Sequence, residues 1–348
     1  MTGMGSRHEK MIPQDSILIV GPSWIGDMVM AQSLMKVIKI NQPDVVIDVL
    51  APKWSLGILA RMPEVRNGIA LDVKHGELGL GKRYQTGKSL RAKEYKQAYV
   101  LPKTLKAALV PYFANIPVRT GFFGEMRFGL INDVKPLDKV VLDQTVKKYA
   151  SLAQQSDQII STPFPELKVN ADNAKTLLQK HKIDHQNLLV SFMPGAEYGP
   201  AKQWPVAHFA ELAQKINQIG GQVLIFGSDK DLADGDAIAE FNSNVINLCG
   251  KTTIEGAVDL IGSTHIAVTN DSGLMHVAAS VGIPLVSIYG SSSPLFTPPL
   301  TDKAIVEWLK LECAPCFKRE CPLQHLNCLR QITPQSVFKH IETNYVIK

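Results

Sequence analysis

The run Asn270-Asp271-Ser272-Gly273-Leu-Met-His276-Val-Ala-Ala279 is the strongest site signal in the sequence. An apolar stretch over 265–269 precedes it and reads as a strand, and a helix is expected from about Ser272. A helix start offers unpaired N–H groups and the positive end of its dipole, which suits a phosphate. Gly273 lets a ligand approach the backbone closely. Asp271 and Ser272 are also ordinary N-cap residues, and a lone helix histidine such as His276 is more often a packed side chain than a ligand contact. A second loop, Pro194-Gly-Ala-Glu-Tyr-Gly-Pro-Ala-Lys202-Gln-Trp204-Pro205, follows a strand and precedes a helix. Lys202 is its natural phosphate cation, able to neutralise charge on a departing diphosphate; the plain alternative is a surface lysine.

A third loop, Gly21-Pro-Ser-Trp24-Ile-Gly26-Asp27, closes the first strand and opens the first helix. It lacks the G-x-G-x-x-G spacing of a dinucleotide site, which weakens a dehydrogenase reading. A carboxylate at this strand end can take a proton from an attacking hydroxyl; Asp27 is equally readable as an N-cap of that helix. In Phe226-Gly-Ser-Asp229-Lys-Asp231, a carboxylate after a strand can hold ribose hydroxyls, although solvated loop acids read the same way. Walker A, H-E-x-x-H and nucleophile-elbow G-x-S-x-G patterns are absent from the sequence.

These loops need strands to carry them. Apolar runs at 16–20, 45–50 and 98–101 alternate with helical spacing, in which Met28, Ala31, Leu34, Met35 and Ile38 share a face. The same alternation restarts at 188–192, 222–226, 245–248, 265–269 and 284–289, with helices between. Strands alternating with helices imply parallel sheets, and ligands then bind at the carboxyl ends of the strands. The expected fold class is α/β, with two Rossmann-like domains facing across a cleft. The boundaries read as a flexible N-terminus over 1–15, a first domain over 16–185 and a second over 186–330. A last helix over 331–348, carrying Val337, Ile341 and Val346, is expected to pack back across the domains.

The length of 348 residues suits two such domains. The N-terminus lacks the apolar core of a signal peptide, and no apolar run approaches a membrane span; a cytoplasmic protein is expected. The net charge of +5 is concentrated. Between Lys82 and Arg127 ten lysines and arginines face only Glu94 and Glu125. Such a field favours an anionic partner: phosphorylated glycolipid, membrane surface or nucleic acid. It also fits a solvated lysine-rich face. Four of the five cysteines, Cys313, Cys316, Cys321 and Cys328, are close enough in sequence to hold one structural metal. Their spacing is not a standard zinc pattern, and redox-sensitive or structural thiols are the main alternative.

Taken together, Gly21-Pro-Ser-Trp-Ile-Gly-Asp27, Arg61-Met-Pro-Glu-Val65, Ala98-Tyr-Val-Leu-Pro102, Gly124-Glu-Met-Arg127, Pro194-Gly-Ala-Glu197, Gly199-Pro-Ala-Lys202 and Asn270-Asp-Ser-Gly-Leu-Met-His276 resemble the heptosyltransferases of glycosyltransferase family 9, and their type II branch most. The resemblance covers about 17–138 and 192–299. It implies the GT-B architecture and an inverting transfer without a required cofactor or catalytic metal. It places the base at Asp27 and the phosphate lysine at Lys202. Asp271, Ser272, Gly273 and His276 fall at the donor, with Thr252 near the adenine and Asp229 or Asp231 at the ribose. Trp24, Lys103, Lys106 and Arg127 fall on the acceptor side. The implied partners are ADP-heptose and a phosphorylated heptosyl-Kdo2-lipid A acceptor, reached by peripheral contact with the cytoplasmic face of the inner membrane, with no nucleic acid. Type I or III activity, an epimerase on the same scaffold and a noncatalytic anionic-glycolipid binder are the competing readings.

Overall fold

The computed structural model describes residues 15–74, 76–154, 162–240 and 242–345. Most of the N-terminal segment expected to be flexible, Phe241 and Val346 lie outside the described residues. The first half contains strands β1 (Ser16–Val20), β2 (Val46–Ala51), β3 (Val65–Ala70), β4 (Gln97–Val100), β5 (Val118–Phe122) and β6 (Asp133–Lys135). Its helices are α1 (Ile25–Asn41), α2 (Leu56–Leu59), α3 (Leu80–Leu90), α4 (Leu105–Phe113) and α5 (Thr145–Ser151). After α6 (Ala171–Lys180), the second half contains β7 (Leu189–Met193), β8 (Gln222–Ile225), β9 (Val245–Asn247), β10 (Ile266–Asn270), β11 (Leu285–Ile288) and β12 (Ala304–Glu307). Its helices are α7 (Val206–Gln218), α8 (Leu232–Ala239), α9 (Ile254–Ile261), α10 (Gly273–Ser280), α11 (Asn327–Arg330) and α12 (Pro334–Tyr345).

The two sheets repeat one plan. The first runs β3-β2-β1-β4-β5-β6 and the second β9-β8-β7-β10-β11-β12, with every pairing parallel. Each is a doubly wound Rossmann sheet with its chain reversal beside the first strand of the half. Helices cover both faces, so central strands become continuous apolar runs. All five residues of β1, β7 and β10 are buried.

Four strands escaped the periodicity. β3 and β6 are edges of the first sheet and β12 an edge of the second; β3 and β6 lack an apolar run, and the apolar run of β12 is only three residues long and partly exposed. β5 begins with exposed Val118 and partly exposed Arg119. The edge strand β3 is tied to β2 by polar groups. Buried Asp48 accepts from Arg66 at 3.0 and 2.6 Å, from Asn67 Nδ2 at 3.2 Å and from the Tyr95 hydroxyl at 2.6 Å.

The described residues between 132 and 187 link the two halves. They supply β6, then α5 against α1, then α6 against α9, so the chain has joined the second half by residue 171, ahead of the expected boundary. Helix α12 packs on α7 inside the second half, where Val337, Phe338 and Ile341 join its core.

The halves meet along α1 and α10 over a shared apolar core containing Met28, Val29, Met275 and Ala278. A polar knot closes one end. Asp259, buried on α9, accepts from Arg61 at 3.0 and 2.5 Å, from the Asn170 amide at 2.8 Å and from Asn173 Nδ2 at 2.6 Å. All four donors on this one carboxylate come from outside its own helix, satisfying the charge that burial would otherwise penalise.

Candidate active site

A cleft of about 1160 Å³ lies where the carboxyl ends of the two sheets face each other. Its walls include Trp24, Asp27, Lys202, Asp231, Thr252, Asp271, Ser272, Gly273 and His276, nine of the residues singled out in the sequence.

Asp27 stands in the first turn of α1 but does not cap it. Trp24 occupies the N-cap in an extended conformation, and the helix has no side-chain cap. Among the described residues no hydrogen bond or ion pair engages the Asp27 carboxylate. Burial therefore acts on it unopposed and pushes its pKa up to about 6. A carboxylate with that affinity is mostly ionised at neutral pH yet basic enough to share a proton in a transition state. Tyr149 on α5, packed with Met30, Val146 and Leu300, has its phenol pushed up by burial and by the Asp27 charge.

Across the cleft, the first turn of α10 lines the cavity through Ser272, Gly273 and Leu274. Ser272 is its N-cap, extended at φ −140° and ψ 173°, but the hydroxyl caps nothing and is buried without a partner. The start of α10 is thus left for another acceptor. Asp271, one residue earlier, accepts from Lys202 Nζ at 2.5 Å, and both side chains are largely buried. The ammonium also stands 5.1 Å from the Tyr198 ring centroid. An ammonium has three protons, and one carboxylate oxygen leaves others for an incoming anion. His276 is buried, with Nδ1 lacking a partner. Burial is the main cause of its low pKa, about 4, with Asp271 opposing and Lys202 adding to the shift. The imidazole is neutral at physiological pH.

Glycines set the closeness of the two halves. A Cβ on Gly26 would lie 2.8 Å from His276 Cδ2 and 3.4 Å from Gly273 Cα. One on Gly273 would lie 3.0 Å from Ile25 Cβ and 3.2 Å from the Gly26 nitrogen. The loop motifs thus carry glycine where the two helix starts touch.

The ribose alternatives separate. Asp231 lines the cleft, Asp229 does not, and an Asp231 oxygen already accepts from the Ser228 amide and hydroxyl at 2.7 and 2.8 Å. Lys103, Lys106 and Arg127 do not line the cleft. Arg127 is buried, donating from Nη1 to the Pro102 carbonyl at 2.7 Å and from Nη2 to the Phe122 carbonyl, so it holds backbone rather than facing an acceptor.

Two features had no assigned role in the sequence, Asn270 and Tyr149, and the cysteine segment has a contact that its spacing did not suggest. Asn270 is buried, accepts from the Trp204 amide at 3.0 Å and donates to the Pro194 carbonyl at 2.5 Å, clamping the Lys202 loop to the end of β10. Tyr149 sat in a segment without a motif. The cysteine segment braces the Lys202 loop from behind: Ala201 donates to the Arg319 carbonyl at 3.0 Å, and the Tyr198 hydroxyl to the Phe317 carbonyl at 2.8 Å. Cys313, Cys316, Cys321 and Cys328 line a cavity of about 20 Å³ with Ala201. Among the described residues no three Cys, His, Asp or Glu groups are arranged to hold a metal ion.

Two Rossmann sheets opposed across one cleft, with a carboxylate on one side and a lysine beside a free helix start on the other, define a GT-B glycosyltransferase. Residues 83–327 match the family profile described as glycosyltransferase family 9 (heptosyltransferase). The chain is 44% identical to lipopolysaccharide heptosyltransferase 2 of Salmonella typhimurium, over 94% of its own length and 97% of that protein. It is similarly 44% identical to the Escherichia coli protein of that name, over 93% and 97%. The solved structure of Escherichia coli ADP-heptose lps heptosyltransferase II superposes with a TM-score of 0.86 at 41% identity, covering 95% of this chain and 99% of that one. The chain belongs to glycosyltransferase family 9 and is a heptosyltransferase.

Proposed function

We propose that the protein moves an L-glycero-D-manno-heptosyl group from ADP-heptose onto the first heptose of heptosyl-Kdo2-lipid A, in the lipopolysaccharide inner core. Supporting this choice of donor and acceptor, the 44%-identical relatives are named lipopolysaccharide heptosyltransferase 2 and the superposed structure ADP-heptose lps heptosyltransferase II. The observation that carries it is the opposition of unpaired Asp27 on the first half to the Lys202 and α10 anion site on the second.

The diphosphate rests on the free N–H groups at the start of α10, where the helix dipole favours anions. Lys202, held in place by Asp271, supplies its remaining protons to the phosphate oxygens. Ser272 and His276, whose Oγ and Nδ1 are buried and unpartnered, line the same part of the cleft. Thr252 and Asp231 line the part of the cleft that takes the nucleoside. Asp27 accepts the proton of the acceptor hydroxyl as its oxygen bonds to the anomeric carbon. The bond from that carbon to the phosphate oxygen breaks, and ADP leaves with the electron pair. Attack opposite the leaving group inverts the centre, and the displacement as written uses no cofactor. Lys202 and the helix start meet the charge that develops on ADP. The acceptor is lipid-anchored, and no described helix is long and apolar enough to cross a membrane. The proposed mode is therefore peripheral work at the cytoplasmic face of the inner membrane.

The test is ADP release from a panel of ADP- and UDP-sugars with defined heptosyl-Kdo2-lipid A. Turnover with ADP-heptose and this acceptor is expected. Preference for another sugar nucleotide, for an acceptor lacking the first heptose, or turnover without acceptor would overturn the assignment.

A further inference from the structure

We infer that the loop between β5 and β6 docks the enzyme on an anionic lipid bilayer, with Phe123, Met126 and Phe128 entering the interface and the adjoining lysines meeting lipid phosphates. The inference rests on the membrane-anchored acceptor proposed above and names the surface that reaches it.

Three large apolar side chains crowd this short loop, with 61%, 81% and 75% of their surfaces in solvent. The rings of Phe123 and Phe128 lie 5.5 Å apart, so they form one patch rather than scattered exposures. Exposed apolar patches mark contact sites.

The loop beneath them is firmly built. Arg127, its guanidinium buried, donates to the carbonyls of Pro102 and Phe122. The Glu125 amide donates to the Lys103 carbonyl at 3.0 Å, and Gly124 packs so closely on that carbonyl that a Cβ would stand 2.1 Å from it. The Arg127 guanidinium and the Glu125 amide and carboxylate are engaged in holding the loop, while Phe123, Met126 and Phe128 are left outside.

The charge around the patch fits anionic lipid. Lys103 belongs to the segment the loop is bonded to, and Lys106 sits in the first turn of α4. The acid between the apolar residues, Glu125, is turned away: its carboxylate accepts from the Leu105 amide at 2.8 Å, at the positive start of α4. Burial, and after it the like charges of Lys139 and Arg127, lower the Lys103 pKa, and a phosphate would relieve the like-charge part.

Placement also fits. The loop leaves the carboxyl end of β5, and Asp27 follows the carboxyl end of β1, with only β4 between the two strands. Two strand spacings separate them by roughly 10 Å along the same sheet edge. A bilayer touching the loop would therefore lie beside the cleft, within reach of a sugar on a lipid anchor.

The experiment uses the full chain and its Phe123→Ser/Met126→Ser/Phe128→Ser variant. Co-sedimentation is measured with phosphatidylethanolamine/phosphatidylglycerol vesicles and with neutral phosphatidylcholine vesicles. Kinetics are measured with vesicle-borne acceptor and with the same acceptor de-acylated and water-soluble. The expected result is preference of the wild type for anionic vesicles, lost by at least about tenfold in the variant. KM for vesicle-borne acceptor should rise by a similar factor, while kcat and KM for soluble acceptor and the melting temperature stay unchanged. Unchanged vesicle binding by a folded variant overturns the inference. So does sedimentation showing that the patch joins two copies of the chain while vesicle binding is unaffected. Failure of the wild type to use either acceptor would instead overturn the proposed function, because vesicle binding is read separately.

Discussion

Replacing Asp27 by Asn should make the protein more stable while removing most of its activity. The carboxyl is held at a pKa of about 6, against 3.8 for an unperturbed aspartate, because burial removes water and no partner replaces it. Each pKa unit corresponds to 1.36 kcal/mol, so the ionised group costs about 3 kcal/mol at pH 7. The start of α1 returns about 0.3–1 kcal/mol of that through its dipole. An uncharged Asn should then stabilise the fold by about 2 kcal/mol at neutral pH. The sign follows from proton binding. Between the unfolded and folded pKa values the native state binds more protons, so wild-type stability falls as pH rises from about 4 to about 6 and is level above. The advantage of Asn should therefore be largest at pH 7.5 and about half as large at pH 5. Urea unfolding of both proteins at these two pH values measures it. Turnover of ADP-heptose should fall by about 10²–10⁴ with ADP binding retained, and wild-type kcat should rise with pH to a plateau with its midpoint near 6. A variant no more stable than wild type at pH 7.5, or one with unchanged kcat, would refute the reasoning about an unpaired base.

Lys202→Ala removes a charge-assisted contact of about 1.5–3 kcal/mol, so the ADP dissociation constant measured by calorimetry should rise about 10–100-fold, with kcat also reduced. Gly273→Ala forces a methyl to 3.0 Å from Ile25 Cβ and 3.2 Å from the Gly26 nitrogen; overpacking of about 1–3 kcal/mol should lower the melting temperature, and steady-state kinetics should show reduced kcat with higher donor KM. Burial raises the Asp48 pKa, but its bonds to Arg66, Tyr95 and Asn67 outweigh that and leave it lowered. Its contribution is therefore present above the ordinary carboxylate pKa and lost as pH falls through the lower folded value. With Arg66 partly exposed, Asp48→Ala should cost about 2–3 kcal/mol at pH 7, and the deficit seen in urea unfolding should shrink as acid protonates the wild-type group.

The central strands and the loops at their ends were legible because parallel strands buried on both faces leave continuous apolar runs, as in Ser16–Val20 and Ile266–Asn270. Edge strands left no such trace. Val65–Ala70 is held by Arg66 and Asn67 on Asp48, a bond pattern that spacing does not reveal. Among the site residues, loop chemistry and the family resemblance together named nine that line one cleft, but they could not rank Asp229 against Asp231, because that choice depends on how α8 starts. Charge counting pointed to Arg127, whereas its guanidinium turns inward to backbone carbonyls. A basic residue announces its charge in the sequence, but its direction is set by the carbonyls that neighbouring loops leave unpaired. Tyr149 was illegible for a related reason: its place beside Asp27 depends on α5 returning to α1.

The two halves of the site differ in how far they are satisfied before a ligand arrives. On the second half Lys202 and Asp271 neutralise each other, so the charged part of the donor site stands ready. On that half too, Ser272 Oγ and His276 Nδ1 are buried and unbonded, and a buried polar group without a partner is destabilising. A donor that supplied those bonds would stabilise this arrangement over alternatives that let water reach the same atoms. His276 bears directly on Gly26, leaving no room for a methyl, and Gly26 is the residue before Asp27. His276 therefore packs against the first turn of α1, the turn that carries Asp27. Under the proposed function, a donor that bonded His276 would bear on Asp27 through this contact, and the proposed base would be steadied when a sugar nucleotide is present for the acceptor to attack.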